Sequence, residues 1–313
     1  MSKIVIIIES ILLVLLSAAL VWALVLRPGR GEEAVPAVLQ PESLQEPPTE
    51  GGRDYYALSG ERIIMQDPVL GEIWLPVLAD VPACARDVSD LTLRNGMQFY
   101  LEDGSVTSHF GVDVSSHQEE IDWETVKAAG VEFAMIRAGF RGYGSGELVA
   151  DPWFDRNVKG AQAAGIDVGV YFYSQALTPE EAVEEAQMTL ALIGDYDITY
   201  PVVYDWETVS GEAARTDNMS IDALTACCKA FCETIREAGF TPMLYQNMRT
   251  SLLKLERAEL TEYDFWLAEY HDEPLYYYDY QIWQYASDGR VPGITGEVDV
   301  NIAFTDYSKE KQQ

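Results

Sequence analysis

Two carboxylic acids close the segment YPVVYDWE, residues 200–207. The β-branched and aromatic residues before them are typical of a β-strand, whereas aspartate is disfavoured within strands. Asp205 and Glu207 are separated by one residue, and side chains two positions apart on a strand face the same way. Their Cα atoms are then about 6.6 Å apart. The sequence therefore predicts two carboxyl groups on one face at the end of a strand.

Paired carboxyl groups of this kind suit the hydrolysis of a glycosidic bond. One acid must keep its proton near neutral pH to protonate the leaving oxygen, and crowding by a like charge raises its pKa. A second carboxylate stabilises the positive charge that develops at the anomeric carbon. Because the chain has 51 acidic and 21 basic residues, one Asp-x-Glu pair also arises easily by chance. Whether the pair is catalytic or arises by chance therefore depends on what the other predicted strands place beside it.

An alternation of strand and helix patterns begins at residue 109. Strand patterns cover 110–115, 133–138, 167–174, 201–207, 242–247, 265–270, 280–286 and 298–304, and helical patterns cover 123–129, 153–164, 179–193, 221–238 and a short stretch near 248–256. Repeated strand–helix–strand units favour parallel β/α folds. We therefore predict an α/β fold, an irregular TIM-like β/α barrel of eight strands and about five helices whose last three strands lack full helices. A doubly wound open sheet is the alternative.

Functional side chains of such barrels gather at the carboxyl ends of the strands. Asp113 lies on the first predicted strand and Asp299 on the eighth, so we expect acids from strands one, four and eight to meet at one rim. Tyrosine and tryptophan in strands usually belong to the core, but aromatic faces at a rim would stack on sugars. The predicted substrate-binding residues are Arg137, Tyr171, Tyr173, Trp206, Tyr245, Gln246, Trp266, Tyr270, Trp283 and Asn301.

Six motifs occur in order along this part of the chain. They are GVDVSSHQEEIDW (111–123), GVEFAMIRAG (130–139), FDRNVKGAQAAGIDVGVYFYS (154–174), PVVYDWE (201–207), FWLAEY (265–270) and IWQYASDGRVPGITGEVDVN (282–301). Together they resemble glycoside hydrolase family 25, the lysozymes of the N-acetylmuramidase type, over about residues 109–306. The resemblance implies an irregular β/α barrel. It also implies cleavage of the β-1,4 bond from N-acetylmuramic acid to N-acetylglucosamine in peptidoglycan.

The resemblance further implies a role for each acid. Glu207 would be the general acid/base, and Asp205 would orient the 2-acetamido group of the substrate or stabilise the developing cation. Asp113 and Asp299 would complete the catalytic cluster. The family is described as retaining, with help from the acetamido group. The sequence alone leaves that route and a covalent aspartyl intermediate open, because it does not give the separation of the carboxyl groups.

Composition narrows the possible partners. A net charge of −30 argues against nucleic-acid binding. No metal or cofactor is expected, because the three histidines form no H-E-x-x-H motif and the four cysteines have no zinc-ribbon spacing. A chitinase with a D-x-x-D-x-D-x-E motif is disfavoured, since Tyr200 and Val203 replace two of its acids. The remaining alternative to a monomeric enzyme acting on peptidoglycan is a non-catalytic module that binds wall glycan.

The first hundred residues divide into three parts. Residues 4–26 are almost entirely apolar and would form a helix of about 34 Å, long enough to cross a bilayer. We predict a transmembrane signal anchor over 1–27, which makes the chain a single-pass protein of the cell membrane with an extracellular catalytic domain, or a secreted protein if the anchor is cleaved. Residues 28–54 are a Pro- and Glu-rich linker, and 55–108 a small β-containing lead-in with a hairpin turn at Asp103-Gly104. The barrel covers 109–306, and 307–313 form a polar tail.

Overall fold

The computed structural model describes residues 62–209, 211 and 213–310. The predicted anchor and linker, residues 1–27 and 28–54, lie outside these described residues. Within the part that is described, no helix has both the length and the hydropathy needed to span a bilayer.

Two small antiparallel sheets precede the barrel. Strand β1 (Arg62–Asp67) pairs with β2 (Gly71–Pro76), and β4 (Met97–Glu102) pairs with both β3 (Leu91–Arg94) and β5 (Ser105–Val106). The predicted turn at Asp103-Gly104 is confirmed, with φ angles of 50° and 78°. Asn95-Gly96 makes a second turn of this kind between β3 and β4, with φ angles of 54° and 81°. Two-residue hairpin turns of type I′ need positive φ at both central positions, which explains the Asx-Gly pairs.

Eight further strands close into a barrel, and β8 (Leu148–Ala150) forms a hairpin with the second of them. The barrel strands are β6 (His109–Val114), β7 (Phe133–Arg141), β9 (Asp167–Ser174), β10 (Val202–Trp206), β11 (Pro242–Asn247), β12 (Asp264–Ala268), β13 (Ile282–Gly289) and β14 (Val298–Ala303). β6 pairs with both β7 and β14, which closes the ring. The predicted barrel is therefore confirmed, and the alternative of an open sheet is wrong.

One barrel strand runs against the others. β14 is antiparallel to both β13 and β6, whereas the remaining barrel neighbours are parallel. The amino-terminal end of β14 therefore lies at the rim formed by the carboxyl ends of the other strands. Asp299, its second residue, is directly opposite Asp113 of β6. The reversed direction of β14 is thus what brings Asp299 to the predicted rim.

The helices lie on the outside of the barrel. They are α1 (Trp123–Ala128), α2 (Phe154–Ala163), α3 (Pro179–Ile193), α4 (Ile221–Glu237), α5 (Met248–Leu253) and a terminal α6 (Tyr307–Glu310). All predicted strands and helices of the barrel are found within three residues of their expected bounds. α3 shows why: the Thr178 hydroxyl accepts a hydrogen bond from the amide of Glu181, and Pro179 occupies the first helical position. α6 falls in the predicted polar tail, yet Tyr307 is buried against the barrel interior.

Alternate residues of each strand build two separate cores. Val203 of β10 and Met243 of β11 pack inside the barrel, whereas Val202 and Leu244 pack outside it against the helices. This alternation follows from the two-residue period of a strand. It decides which side chains can reach a site in the barrel mouth.

The lead-in covers the barrel wall where helices are missing. In the described chain, neither β12 nor β13 is followed by an α-helix. Instead, Tyr100 of β4 packs edge-on against Phe304 at 5.4 Å between ring centroids. The Arg86 guanidinium lies over Tyr280 and Phe304, at 4.6 and 4.4 Å from their ring centroids. The Tyr285 hydroxyl donates to the Gly96 carbonyl at 3.2 Å.

Candidate active site

Asp113 is the most heavily hydrogen-bonded acid at the rim. The side-chain amides of Gln284 on β13 and Asn301 on β14 both donate to its Oδ2, at 2.8 Å each. The carboxyl group is buried. Burial is the largest influence and leaves its pKa above the usual value, while the hydrogen bonds from Asn301, Gln284 and Asp299 reduce the rise. These donors favour the ionised form of Asp113.

Asp299 is hydrogen-bonded to Asp113 from the facing strand. Burial, the negative charge of Asp113 and this hydrogen bond together raise the pKa of Asp299 to about 8. The same hydrogen bond lowers the pKa of Asp113, as expected when Asp299 is the donor. At neutral pH the pair therefore shares a proton that resides on Asp299.

Asp205 is buried, with 4% of its surface exposed. It lies two residues beyond Val203, which faces the barrel interior. Its Oδ1 accepts no hydrogen bond from any described residue. Burial raises the pKa of Asp205 well above its usual range, Glu207 and Asp113 add to the rise, and Arg137 opposes it. A buried oxygen in this position is able to accept a polar hydrogen of a ligand.

Glu207 follows the last residue of β10. Burial is the main cause that raises its pKa to about 7, and the charge of Asp113 is the second. The sequence argument relied on crowding by like charge alone, whereas loss of hydration is the larger cause. The Gln175 side chain donates to the Glu207 carbonyl at 3.3 Å and accepts from the Thr216 hydroxyl at 2.7 Å. A carboxyl group with this pKa can act as both acid and base near neutrality.

Aromatic side chains line the same side of the barrel. Tyr173 and Tyr245 are in register with Asp205 on the two neighbouring strands. Tyr245 packs edge-on against Trp266 at 4.7 Å, and Tyr171 packs against the same indole at 6.2 Å, both between ring centroids. These contacts place the predicted residues Tyr171, Tyr173, Tyr245 and Trp266 beside the acids.

Tyr270 lies beyond the end of β12 and is 52% exposed. Its hydroxyl donates to Gln284 Oε1 at 2.7 Å, and the Tyr245 hydroxyl donates to the same oxygen at 2.8 Å. The ring of Tyr270 is thus exposed at the rim, while its hydroxyl is held by the hydrogen bond to Gln284. An exposed ring held in this way is suited to stacking on a sugar.

Arg137 supplies positive charge close to the acids. Its Nε donates to Asp151 Oδ2 at 2.8 Å, and its Nη2 donates to the Ser116 hydroxyl at 2.9 Å. On β7 it is in register with Tyr171 of β9. Its charge opposes the rise in the pKa of Asp205. Asp151, which sequence reasoning missed, therefore fixes the orientation of the cation at this rim.

Residues 112–294 match the family model described as glycosyl hydrolases, family 25. The chain belongs to this family. It is 28% identical over 227 residues to the uncharacterized protein YegX of Escherichia coli O157:H7, which covers 66% of this chain and 76% of that protein. It is 26% identical over 192 residues to the autolytic lysozyme of Clostridium acetobutylicum, covering 61% of this chain and 54% of that protein.

Solved structures agree with the family 25 fold. The modular autolysin LytC from Streptococcus pneumoniae, solved in complex with a synthetic peptidoglycan ligand, is 25% identical with a TM-score of 0.56. The similarity covers 68% of this chain and 51% of LytC. The chain therefore spans about half the length of LytC and of the clostridial lysozyme.

Three predicted site residues lie outside the mouth of the family 25 barrel. Trp206 is in register with Ser174, whose hydroxyl donates to Glu185 of α3 on the outer side. Trp283 is fully buried in the outer core and donates to the Glu269 carbonyl at 2.8 Å. Gln246 is in register with Leu267, also of the outer core. The expectation that Trp206, Gln246 and Trp283 line the cleft is corrected, because each follows an inward residue by one position.

Gln284 is a second site residue that sequence reasoning missed. It follows Trp283 by one position and lies opposite Asn301 on β14. The sequence contains one indication of its position. Side chains alternate strictly along IWQY, so either Trp283 or Gln284 lies inside the barrel, but not both. The sugar-stacking role expected of Trp283 requires the inward position, and Gln284 occupies that position.

Proposed function

We propose that this chain is a lysozyme that hydrolyses the β-1,4 bond between N-acetylmuramic acid and N-acetylglucosamine in peptidoglycan. The observation that carries the proposal is the position of Glu207, whose pKa is raised to about 7, directly after the strand that holds Asp205. The relatives named as lysozyme and autolysin support the same substrate.

Glu207 acts first as the general acid in this proposal. Its carboxyl group still holds a proton near neutral pH because burial disfavours the ionised form. It protonates the glycosidic oxygen as the bond to the leaving N-acetylglucosamine breaks. In the second half of the reaction, the ionised Glu207 accepts a proton from the attacking water.

Asp205 assists on the other side of the bond. Its buried Oδ1, which has no partner among the described residues, accepts the N–H of the substrate 2-acetamido group. This hydrogen bond orients the acetamido oxygen towards the anomeric carbon, where that oxygen stabilises the developing positive charge. The result is a retaining reaction with acetamido assistance, so the first product carries the β-configuration at its new end. Proton NMR of the product, recorded before mutarotation, measures this outcome.

Replacing the acid tests the proposal. Glu207→Gln keeps the shape of the side chain but cannot transfer a proton, so we expect the release of soluble muropeptides to fall by about 10²–10⁴-fold. The exposed Glu237 at the end of α4 offers a matched control, and Glu237→Gln should retain the parental rate. Both variants should keep the parental circular dichroism spectrum. Equal lysis by Glu207→Gln and the parent would contradict the assignment.

A non-catalytic module that binds wall glycan is the alternative. It predicts that the parent sediments with peptidoglycan but releases no reducing ends. The same assay separates the two proposals, because Glu207→Gln should still bind the wall if it has lost only the proton transfer.

We also propose that residues 4–26 anchor a monomeric enzyme in the membrane with the barrel on the outer side. The apolar length of this segment supports the anchor, and the external location of peptidoglycan supports the orientation. External protease should release the barrel from intact cells, and full protection would contradict the orientation. Light scattering of the detergent-solubilised chain measures the oligomeric state.

A further inference from the structure

Two amide side chains converge on a single oxygen of Asp113. Gln284 and Asn301 lie opposite each other on β13 and β14. Their amide nitrogens are each 2.8 Å from Asp113 Oδ2. Both amides are almost fully buried, with exposures of 2% and 0%, so water does not compete for these hydrogen bonds.

The orientation of Asn301 is fixed by a donor that has no alternative role. The Trp266 indole N–H donates to Asn301 Oδ1 at 2.9 Å. An indole nitrogen can only donate, so the Asn301 oxygen must face Trp266. The Asn301 nitrogen must then face Asp113.

The orientation of Gln284 agrees with that of Asn301. Tyr245 and Tyr270 donate to Gln284 Oε1 at 2.8 and 2.7 Å, although hydroxyl groups can also accept. A flipped amide would place its oxygen 2.8 Å from Asp113 Oδ2, an oxygen that already accepts the Asn301 N–H. The observed orientation therefore also turns an N–H group towards Asp113 Oδ2.

These contacts determine where the proton of the Asp113–Asp299 pair resides. Asp113 Oδ2 accepts two N–H groups, which stabilise negative charge on this carboxyl group. Asp299 hydrogen-bonds to Asp113 from the facing strand and accepts no such amide donor from the described residues, so the proton between the carboxyl groups favours Asp299. The negative charge is thereby held on Asp113, where it contributes to the raised pKa of Glu207.

We propose that Gln284 is a positioning residue that, together with Asn301, holds Asp113 ionised and keeps the shared proton on Asp299. The role in catalysis rests on the proposed lysozyme function, because Asp113 then helps Glu207 to remain the proton donor. The position of the proton does not depend on that function and can be measured without substrate.

Other ionisable groups face Asp113, and their charges are coupled to its protonation. Its charge raises the pKa of acids and phenols on neighbouring elements, namely Asp205, Glu207, Asp299, Tyr171, Tyr245 and Tyr270. Burial raises the pKa of all three phenols above their usual value of 10, so they stay neutral between pH 4 and 9. The nearby cation Arg137 is held by Asp151. Of the acids and phenols named here, the four carboxyl groups of the cluster are those that titrate over this range.

Carbon-13 NMR of the full chain labelled at aspartate carboxyl carbons tests the proposal. Asp113→Asn and Asp299→Asn assign the two signals. In the parent, the Asp113 signal should titrate at lower pH than the Asp299 signal, and Asp299 should lose its proton only above neutral pH. Gln284→Met removes one donor from a charge-assisted hydrogen bond, so the titration midpoint of Asp113 should rise by about one pH unit. Asn301→Leu removes the other donor and should shift it in the same direction, which keeps the test intact if one variant does not fold.

Gln281→Met is the matched control. The Gln281 amide also donates to an aspartate, Asp279, at 3.1 Å, and accepts the Phe265 N–H at 2.8 Å. It precedes β13 and lies at the opposite end of the strand from the rim. The control should therefore lower stability without moving the signals of Asp113 or Asp299.

The outcomes are distinguishable. An Asp113 signal that titrates above that of Asp299 in the parent, or midpoints that are the same in both variants as in Gln281→Met, would overturn the proposal. If the parent cleaves peptidoglycan, kcat should fall about tenfold in Gln284→Met at pH 6.5 and remain parental in Gln281→Met. Unchanged kcat in Gln284→Met would overturn the catalytic role. A parent that shows the expected NMR signals but no cleavage would contradict the proposed function alone.

Discussion

At the scale of single residues, the site depends on four carboxyl groups that are kept at different charges. Asp113 receives two amide hydrogen bonds and stays ionised. Glu207 accepts no such pair from the described residues and keeps its proton to about pH 7, mainly because its carboxyl group is desolvated. Different surroundings thus assign different roles to chemically similar groups, as expected for an acid/base site.

The pH dependence of the rate should report Glu207. Loss of its proton removes the general acid, so kcat/KM should fall as pH rises through about 7. Asp113→Asn removes the negative charge that contributes to the raised pKa of Glu207, so the alkaline limb of the remaining activity should move to lower pH. Initial rates of wall lysis between pH 5 and 9 measure both profiles. A limb that stays in place or moves to higher pH in Asp113→Asn would contradict this electrostatic account.

The acids of the site were predictable from sequence because their positions are periodic. Asp205 and Glu207 follow the inward residue Val203 at intervals of two, and Asp113 lies on a strand that the pattern identifies correctly. The expectation for Trp283 is wrong because it rests on the chemistry of sugar stacking and not on the alternation of inward and outward residues along β13. The two amide hydrogen bonds to Asp113 also could not be predicted, since they depend on the register between β13, β14 and β6.

At the scale of elements, the lead-in takes the place of the missing outer helices. Tyr280, Tyr285 and Phe304 lie on the barrel wall, and they contact Arg86, Gly96 and Tyr100 of the lead-in. The family match begins only at residue 112, so this cover is an addition to the matched region. Its packing ties it to the stability of the barrel.

Removing the lead-in should destabilise the barrel. A chain that begins at residue 108 exposes several aromatic rings, each contributing about 1.5–3 kcal/mol when buried. We therefore expect a loss of at least about 3 kcal/mol in the free energy of unfolding, with increased binding of a hydrophobic dye. A chain that begins at residue 62 keeps these contacts and serves as the control. Equal denaturation midpoints for the two chains would show that the lead-in does not support the barrel.

The direction of β14 is an element-scale feature that the strand pattern does not encode. Alternation with a period of two is the same for both directions. The length of the connection between β13 and β14 does indicate that β14 is antiparallel. Residues 290–297 are too few for a parallel crossover, which needs a dozen or more residues. The strand and helix bounds themselves were predicted well, since caps and breakers such as Thr178 and Pro179 act locally.

At the scale of the whole molecule, the raised pKa values of the site lower the free energy of unfolding at neutral pH. The pKa values of Glu207 and Asp299 are raised in the folded state to about 7 and about 8, above their usual values of 4.5 and 3.8. The folded state therefore binds more protons than the unfolded state between about pH 4 and 8. The stability linked to these groups is complete below pH 4 and is lost as pH rises through 7 and 8.

Neutral variants should reduce this dependence. In Glu207→Gln/Asp299→Asn, the free energy of unfolding should fall less between pH 5 and 8.5 than in the parent, by up to several kcal/mol. Urea denaturation at several pH values measures the difference. Glu237→Gln, at an exposed position, should follow the parent. A double variant whose stability falls with pH as steeply as that of the parent would contradict the raised pKa values.

The chemical identity of the cleaved end is the most direct test of the account. The full chain is incubated with purified peptidoglycan, the new reducing ends are converted to sugar alcohols with borohydride, and the acid hydrolysate is analysed by mass spectrometry. The account predicts that muramitol accumulates with the parent and not with Glu207→Gln. Glucosaminitol as the product, or equal muramitol from both proteins, would contradict it.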